Sequence, residues 1–361
     1  MFRKAIVRGV LAVAVLCCAV VAQAADVFNM GPGLTSLEMV PVGDPGNAGE
    51  GSGDSYGGWG PDHICGVVNY NYQIGKYEVT AGQYTEFLNC KATVTDTYGL
   101  YNTKMADELW NNLGCNIQRS GGGTVGNPYS YTVPSDWANR PVNYVSFWDA
   151  ARFANWLNNG QGDGNTETGA YTLNGYNGND GRSITRNLGA KWFLPSEDEW
   201  YKAAYYKGGG TNAGYWDYPT KSNTAPSNVG ADGYIDPGNH ANYWNGSNFT
   251  IGSPYYRTNV GEFENSASAY GTYDQGGNVW EYNETYLPEA SGIGSSRGMR
   301  GGYLYGGSDQ LAASFCYYNE DPTTESWAFG FRVAGVPEPG SLAMLAGIAL
   351  TALLYWWRKR A

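Results

Sequence analysis

The sequence predicts an α+β domain with few helices, short strands and long loops. Aromatic residues make up 15% of its 361 residues and include 13 Trp and 30 Tyr, so large side chains are available for an ordered core. The 52 Gly and 16 Pro stay below the level of a low-complexity chain but favour frequent turns. Neither an internal repeat nor a linker divides the chain, which indicates one domain.

The N-terminus predicts export. Basic residues Arg3, Lys4 and Arg8 precede an apolar stretch over 10–21, and Ala22-Gln23-Ala24 is a typical cleavage pattern, so residues 1–24 fit a signal peptide. The alternative is a membrane anchor, but the apolar stretch is short for a membrane span. Residues 25–69 are rich in Gly, Asp and Pro and predict an extended entry to the domain.

The next elements show clear periodicity. Residues 70–78 alternate like a strand, and Thr80 can cap a short helix that follows. That helix would bury Tyr84, Phe87 and Leu88.

Two further helices have capping-box starts. Ser146–Asp149 opens a helix to about Leu157, and Ser196–Glu199 opens another that Gly208 stops. The predicted inward residues are Phe147, Ala150, Phe153, Ala154 and Leu157 in the first helix and Trp200, Ala203 and Ala204 in the second. From residue 209 onward, Gly- and Asn-rich turns separate short aromatic strands without helical periods.

The C-terminus combines a breaker, an apolar segment and a basic end. Pro337-Glu338-Pro339 precedes the apolar run 342–357, and three basic residues follow at 358–360. An ordinary tail anchor would have the same apolar and basic parts. The full order resembles a PEP-CTERM sorting tail, which implies that an exosortase removes residues from 336–361 and passes the protein to the cell surface or extracellular matrix.

The net charge restricts the class of partner, and the cysteines allow disulfides in an exported protein. The formal net charge is −11, and without the six basic residues near the two ends it would be −17. Such a surface repels nucleic acid and attracts hard cations. Outside the signal segment, four cysteines allow three disulfide pairings that the sequence leaves open: Cys65, Cys90, Cys115 and Cys316.

Six segments occur in an order that resembles the formylglycine-generating (sulfatase-modifying) enzymes. They are Tyr72–Thr80, Arg140–Trp148, Leu194–Trp200, Gly277–Tyr282, Arg300–Gly302 and Gly330–Arg332. The resemblance spans residues 70–335 and implies an irregular, loop-rich α+β fold related to the C-type lectin fold. By itself, Arg332 is typical of a buried, paired arginine.

The resemblance also implies a copper site, whose ligands this chain lacks. Oxidases of the family hold cuprous copper with two cysteines after Arg-Gly-Gly, because soft thiolates suit that ion. An ungapped alignment from Arg300 puts these positions at Gly306 and Leu311, and no Cys occurs in 303–315. Cys316 aligns with a structural cysteine. We therefore expect neither bound copper nor copper oxidase activity.

Other catalytic sites have little support. His63 and His240 are distant in sequence and lack the spacing of metal ligands, and related iron-dependent sulfoxide synthases need several histidines. Glu197 and Glu199 are better explained by helix capping than by glycosidase chemistry.

Calcium is the metal that the resemblance still implies. Its first site would use the side chains of Asp274 and Glu281 with the carbonyls of Gly277 and Val279, and hard oxygen ligands suit Ca²⁺. A second family site falls less clearly on Asn242 and Tyr243, with Ser253 and Tyr255 as further candidates.

The sequence therefore predicts an exported, non-catalytic domain that calcium stabilises and that serves binding or assembly. An exopolysaccharide or matrix component would be its partner, by analogy with lectins. The alternative is a sulfatase-activating oxidoreductase with an unrecognised metal site.

Overall fold

Four α-helices form in the part of the chain that the computed structural model describes, which is residues 37–107, 113–229, 236–286, 296–318 and 320–336. They are α1 (Ala81–Lys91), α2 (Ser135–Ala138), α3 (Phe147–Asn158) and α4 (Glu197–Tyr205). Short 3₁₀ turns occur at Asp54–Tyr56, Thr103–Ala106 and Ser308–Leu311.

Eleven short strands accompany these helices in the same ranges. They are β1 (Met39–Val42), β2 (Glu50–Ser52), β3 (His63–Cys65), β4 (Tyr72–Gly75), β5 (Gln118–Ser120), β6 (Ser130–Thr132), β7 (Trp192–Phe193), β8 (Trp280–Tyr286), β9 (Arg297–Arg300), β10 (Phe329–Phe331) and β11 (Ala334–Gly335). Loops join them, so the predicted loop-rich α+β class is confirmed.

The largest sheet joins the two ends of the domain. Its order is β1-β4-β11-β7, and both neighbours of β4 run antiparallel to it. Ile74 lies opposite Val40 on one side and Ala334 on the other. Residues 37–69, expected as an extended entry, thus contribute β1 to this sheet and pair β2 with β3.

A second sheet carries the motifs of the C-terminal half. Its order is β10-β8-β9, with β10 parallel and β9 antiparallel to β8. Glu281 lies opposite Arg300 on one side and Gly330 on the other. Three of the six segments named above therefore meet in one small sheet.

The three predicted helix starts are confirmed. Thr80, Ser146 and Ser196 each accept a hydrogen bond from the N3 backbone N–H, and the N3 side chain bonds back to the N-cap. Each box satisfies backbone donors that would otherwise lack partners. Helix α4 ends at Tyr205, before the Gly208 stop that the sequence predicts.

Helix α3 is the centre of the main core. Eleven of its twelve residues are buried, including the predicted inward set and also Trp148 and Trp156. Phe153 packs against Phe87 of α1 and Phe331 of β10, with ring centroids 5.3 and 5.4 Å apart. Aromatic packing of this kind fixes the sheets that carry the candidate site.

The predicted signal peptide and sorting tail lie outside the described residues, apart from Val336. Within the described ranges, no helix combines the length and apolar character that crossing a membrane requires. Within the described residues, Cys65, Cys90, Cys115 and Cys316 form no disulfide; Cys90 is half-buried and the other three are buried.

Candidate functional site

The chain turns sharply at the Arg-Gly-Gly motif, where β9 ends. Gly301 and Gly302 adopt φ of 100° and 73°, which favours glycine. A Cβ on Gly301 would lie 2.8 Å from the carbonyl oxygen of Gln275 and 3.3 Å from the Trp200 ring. The turn therefore needs glycine, and it delivers Tyr303 to a neighbouring cleft.

This cleft, here called the aromatic cleft, has a volume of about 490 Å³. Its lining residues are Trp59, Trp280, Tyr303, Gln310, Phe315, Tyr317, Ser326, Trp327, Ala328 and Phe329. Seven of these ten residues are aromatic, and none is Cys, His, Asp, Glu, Lys or Arg. The lining offers ring faces and a few neutral polar groups, but not the side chains that usually ligate a metal.

Stacked rings form the wall of the aromatic cleft. The Trp280 ring lies near Phe315 and Tyr317, with centroid distances of 5.7 and 5.3 Å. Trp59 stacks on the same two rings at 5.5 and 5.6 Å and is 38% exposed. Tyr303 continues the wall from Trp280 at 6.2 Å. Offset stacking at these distances holds the rings in a fixed arrangement.

A buried ion pair between Arg300 and Glu197 supports this wall. Arg300 Nε donates to Glu197 Oε1 at 2.7 Å, and its Nη1 donates to the carbonyls of Ala313 and Phe315 at 2.9 and 2.7 Å. The guanidinium is fully buried, and its fork fixes the backbone that carries the Phe315 ring. Arg300 thus links the start of α4 to the cleft.

Glu197 is the centre of this network. Its Oε2 accepts hydrogen bonds from His63 Nε2 at 2.8 Å and from the Tyr318 hydroxyl at 2.5 Å. Burial by itself would raise the pKa of Glu197, but the charge of Arg300 and then the His63 and Tyr318 contacts outweigh it and hold the pKa at about 2. Glu197 is therefore a carboxylate at neutral pH.

An acidic groove adjoins the aromatic cleft and shares Trp59 and Phe315 with it. It has a volume of about 890 Å³, and its lining includes the carboxylates of Glu50, Asp217 and Asp309 but no Lys or Arg. Burial raises the pKa of Glu50, and the charge of Asp217 adds to the effect. The groove is thus rich in hydrogen-bond acceptors and hostile to anions.

The predicted calcium ligands surround the turn into β8. Asp274 and Gly277 have φ of 59° and 94°, and Glu281 is the second residue of the strand. Arg332 already holds Glu281 through two hydrogen bonds of 2.6 Å, as the sequence predicts for a paired arginine. Trp200 Nε1 also donates to Glu281, at 2.7 Å.

Buried carboxyl groups outnumber the basic groups there, and the pKa values of two of them are raised. Burial raises the pKa of Asp274 to about 7, with Glu281 adding to the rise against Gly261 N–H and Arg332. Burial also raises the pKa of Glu78 well above its usual range, followed by the charges of Asp274 and Glu281. Glu78 Oε1 is buried without a hydrogen-bond partner among the described residues. A bound cation would relieve both conditions, so the residues fit calcium.

At the second predicted calcium site, several of the candidate oxygen ligands already have hydrogen-bond partners. Asn242 Oδ1 is buried and lacks a partner in the described chain, while its Nδ2 donates to Asn278 Oδ1 at 2.7 Å. The Tyr243 carbonyl already accepts from Asn228 and Thr250. The Tyr255 and Asp136 side chains bond to each other, at 2.8 Å.

The residues at the family's copper positions lie outside the lining of the aromatic cleft. Neither Gly306 nor Leu311 is among the residues that line the aromatic cleft. Leu311 packs in a small core with Ala241 and Tyr243, and Gly306 accepts a backbone bond from Trp244. Glycine and leucine offer no side-chain ligand atom at these positions, so they do not fit a copper ion.

Within the described ranges, one group of three His, Cys, Asp or Glu side chains lies close enough together to share a metal ion. The ligand atoms of His63, Cys65 and Glu197 lie within 4.8 Å of one another. However, Arg300 Nη2 donates to Cys65 Sγ at 3.2 Å, and Arg300 Nε donates to Glu197 Oε1 at 2.7 Å. Burial raises the pKa of the Cys65 thiol, whereas a metal needs the thiolate. The guanidinium takes the place of a metal in this group.

Three residues of the site escape sequence reasoning. Trp59 lies in the segment expected to be an extended entry, and Glu197 was assigned to helix capping. Glu78 lies in the matched segment Tyr72–Thr80, but only its placement beside Asp274 reveals its role. The available sequence signal for Glu197 was an acidic residue directly after the predicted N-cap Ser196.

Comparisons with known proteins agree with the fold. The model of the sulfatase-modifying factor enzyme 1-like domain matches residues 36–336. Solved structures similar to the chain include "Crystal Structure of CarF", with 19% identity, a TM-score of 0.50 and coverage of 84% of this chain and 100% of that one. Treponema denticola variable protein 1 has 19% identity, a TM-score of 0.49 and coverage of 85% and 98%.

A further similar structure is PvdO from Pseudomonas aeruginosa, with 20% identity, a TM-score of 0.46 and coverage of 86% and 100%. None of the curated proteins compared with the chain matches it. The structural similarities concern the fold, whereas the family match covers most of the sequence. On that match, the chain belongs to the sulfatase-modifying factor enzyme 1-like domain family.

Proposed function

We propose that this chain is an exported protein whose domain binds or assembles at the cell surface or in the extracellular matrix without catalysing a reaction. The composition of the aromatic cleft carries the proposal. It lies beside the Arg-Gly-Gly turn, and its lining is aromatic and uncharged. Oxygen activation by the family's oxidases needs soft metal ligands, and this lining has none.

The proposal includes a stabilising calcium ion. Asp274 and Glu281 would supply side-chain oxygens, and Gly277 and Val279 would supply carbonyls. Support comes from the cluster of buried carboxyl groups at this turn, two of which have raised pKa values, and from the partnerless oxygen of Glu78. Ca²⁺ accepts many oxygen ligands in flexible geometry, which suits a glycine-rich turn.

Export rests on the two ends of the sequence. The basic and apolar start with its Ala22-Gln23-Ala24 pattern supports secretion, and Pro337-Glu338-Pro339 before an apolar run supports exosortase processing. The C-terminal tail would anchor the protein in the inner membrane until it is removed. An exopolysaccharide or another matrix component would then be the partner.

The competing function is a sulfatase-activating oxidoreductase with its own metal site. Titration with cuprous ion under anaerobic conditions separates the two. We expect no stoichiometric binding by the wild-type chain, whereas a copper-dependent oxidase of the family serves as the positive control. Tight one-to-one binding would overturn the proposal, and the variants Cys65→Ser and Cys316→Ser would then identify the ligands.

A further inference from the structure

We propose that the aromatic cleft and the acidic groove together bind an uncharged saccharide chain. This inference rests on the proposed function as a binding module and specifies its ligand. The two depressions share Trp59 and Phe315, so a ligand that leaves the cleft enters the groove directly. Volumes of about 490 and 890 Å³ are in the range of small-molecule sites and together accommodate more than one sugar ring.

The cleft wall suits the apolar faces of sugar rings. A pyranose ring presents C–H groups on its faces and hydroxyls around its edge, so it stacks on an aromatic side chain while its hydroxyls seek hydrogen bonds. Trp59 is exposed at the junction of the two depressions, and Trp280 and Trp327 line the cleft behind it. A charged ligand would find no counter-ion in this lining.

Gln310 brings a side-chain amide to the cleft wall, and the acceptor of that amide has no partner among the described residues. Gln310 lines the cleft, and its Oε1 is buried without a hydrogen-bond partner in the described structure. A buried acceptor without a partner is costly, and a ligand hydroxyl would remove that cost. Gln310 therefore favours a hydroxyl-bearing ligand over a purely apolar one.

The acidic groove sets the charge of the ligand. Carboxylates of Glu50, Asp217 and Asp309 accept hydrogen bonds from sugar hydroxyls, and they repel uronic acids, sulfates and phosphates. The formal net charge of −11 acts in the same direction over longer distances. Neutral hexoses match both depressions, whereas anionic polysaccharides match neither.

The test measures binding of the full chain to neutral hexose oligosaccharides and to uronic acid oligosaccharides of matched length. Calorimetry gives the affinity, and tryptophan fluorescence reports on the cleft. We expect the neutral panel to contain a ligand and the uronic acids to bind more weakly. Trp59→Ala should weaken that binding about tenfold by removing a stacked ring. Gln310→Met, which keeps the length of the side chain, should weaken it about fivefold.

Trp192→Phe is the matched control, since Trp192 lies on β7 and lines neither depression, and it should bind like wild type. Unchanged melting temperatures would show that the variants are folded, and Gln310→Met carries the test if Trp59→Ala unfolds. The inference would be overturned if no neutral oligosaccharide binds, if uronic acids bind more tightly, or if both cleft variants bind as tightly as wild type. These results would leave the proposed non-catalytic function untouched, because that proposal is overturned by a different result, the binding of cuprous ion.

Discussion

Replacing Glu197 with glutamine would remove one negative charge from a largely buried network and leave the size of the side chain nearly unchanged. In the wild type, the carboxylate accepts bonds from Arg300, His63 and Tyr318. The amide of Glu197→Gln would keep one acceptor oxygen and present an NH₂ group where another acceptor is needed. The fully buried Arg300 would then lack its counter-ion.

The size of this effect follows from the pKa of Glu197. The carboxyl has a reference pKa of 4.5 and a pKa of about 2 in the folded domain. That difference corresponds to about 3 kcal/mol of stability at neutral pH. At about 2 °C per kcal/mol for a domain of this size, Glu197→Gln should melt roughly 6 °C below wild type.

The pH dependence makes the prediction specific. A carboxyl whose pKa is lowered by folding stabilises the protein above its unfolded pKa, and this stabilisation is lost as the pH falls through the folded pKa. Urea unfolding should therefore show a difference in stability between wild type and Glu197→Gln at neutral pH that narrows progressively as the pH falls from about 5 toward about 2. The control is Asp180→Asn, which breaks the exposed pair with Arg182 and should leave stability unchanged. Equal stability of Glu197→Gln and wild type at neutral pH, or a gap independent of pH, would refute the network described here.

Three further predictions concern calcium, backbone geometry and the tail. Chelator should lower the melting temperature by a few degrees, because Ca²⁺ binding at a hundredfold excess over Kd adds about 2.7 kcal/mol of stability. Ca²⁺ should restore the melting temperature better than Mg²⁺, and Glu281→Gln should reduce this response more than Asp274→Asn does. Identical melting curves with and without Ca²⁺ would rule out the calcium site. With chelator present, Gly277→Ala should lower the free energy of unfolding by more than about 3 kcal/mol, because its Cβ would lie 2.1 Å from the Asn242 carbonyl oxygen. Gly246→Ala, which has a similar φ but open space around its Cβ, should lower it by about 1 kcal/mol. Equal denaturation midpoints for the two variants would contradict the close approach at Gly277. The mature protein from its own host should lack residues 342–361 by intact mass, and detection of the complete C-terminus would rule out this processing.

Local sequence signals were enough to predict the family and three of the four helices in the described ranges, but not the single-turn helix α2. Capping boxes at Thr80, Ser146 and Ser196 depend on residues three positions apart, so the sequence contains the whole signal. The arginine pairing of Arg332 also follows from its buried motif, although its partner Glu281 lies 51 residues away.

The candidate site could not be predicted in the same way, because it depends on contacts between distant segments. Trp59 stacks on Phe315 more than 250 residues later, and Glu197 bonds to His63 across 134 residues. No local pattern encodes these pairs. The capping interpretation of Glu197 and Glu199 was correct for Glu199, which bonds back to the Ser196 N–H, and incomplete for Glu197.

The most direct test of a non-catalytic role is turnover. The chain, supplied with cuprous ion, oxygen, a thiol reductant and a peptide with an exposed cysteine, should leave the mass of the peptide unchanged over the time in which a copper-dependent family oxidase converts it to formylglycine. The uncharged aromatic lining of the cleft predicts this result. Copper-dependent formation of formylglycine above a heat-inactivated control would contradict it and establish the chain as an oxidase.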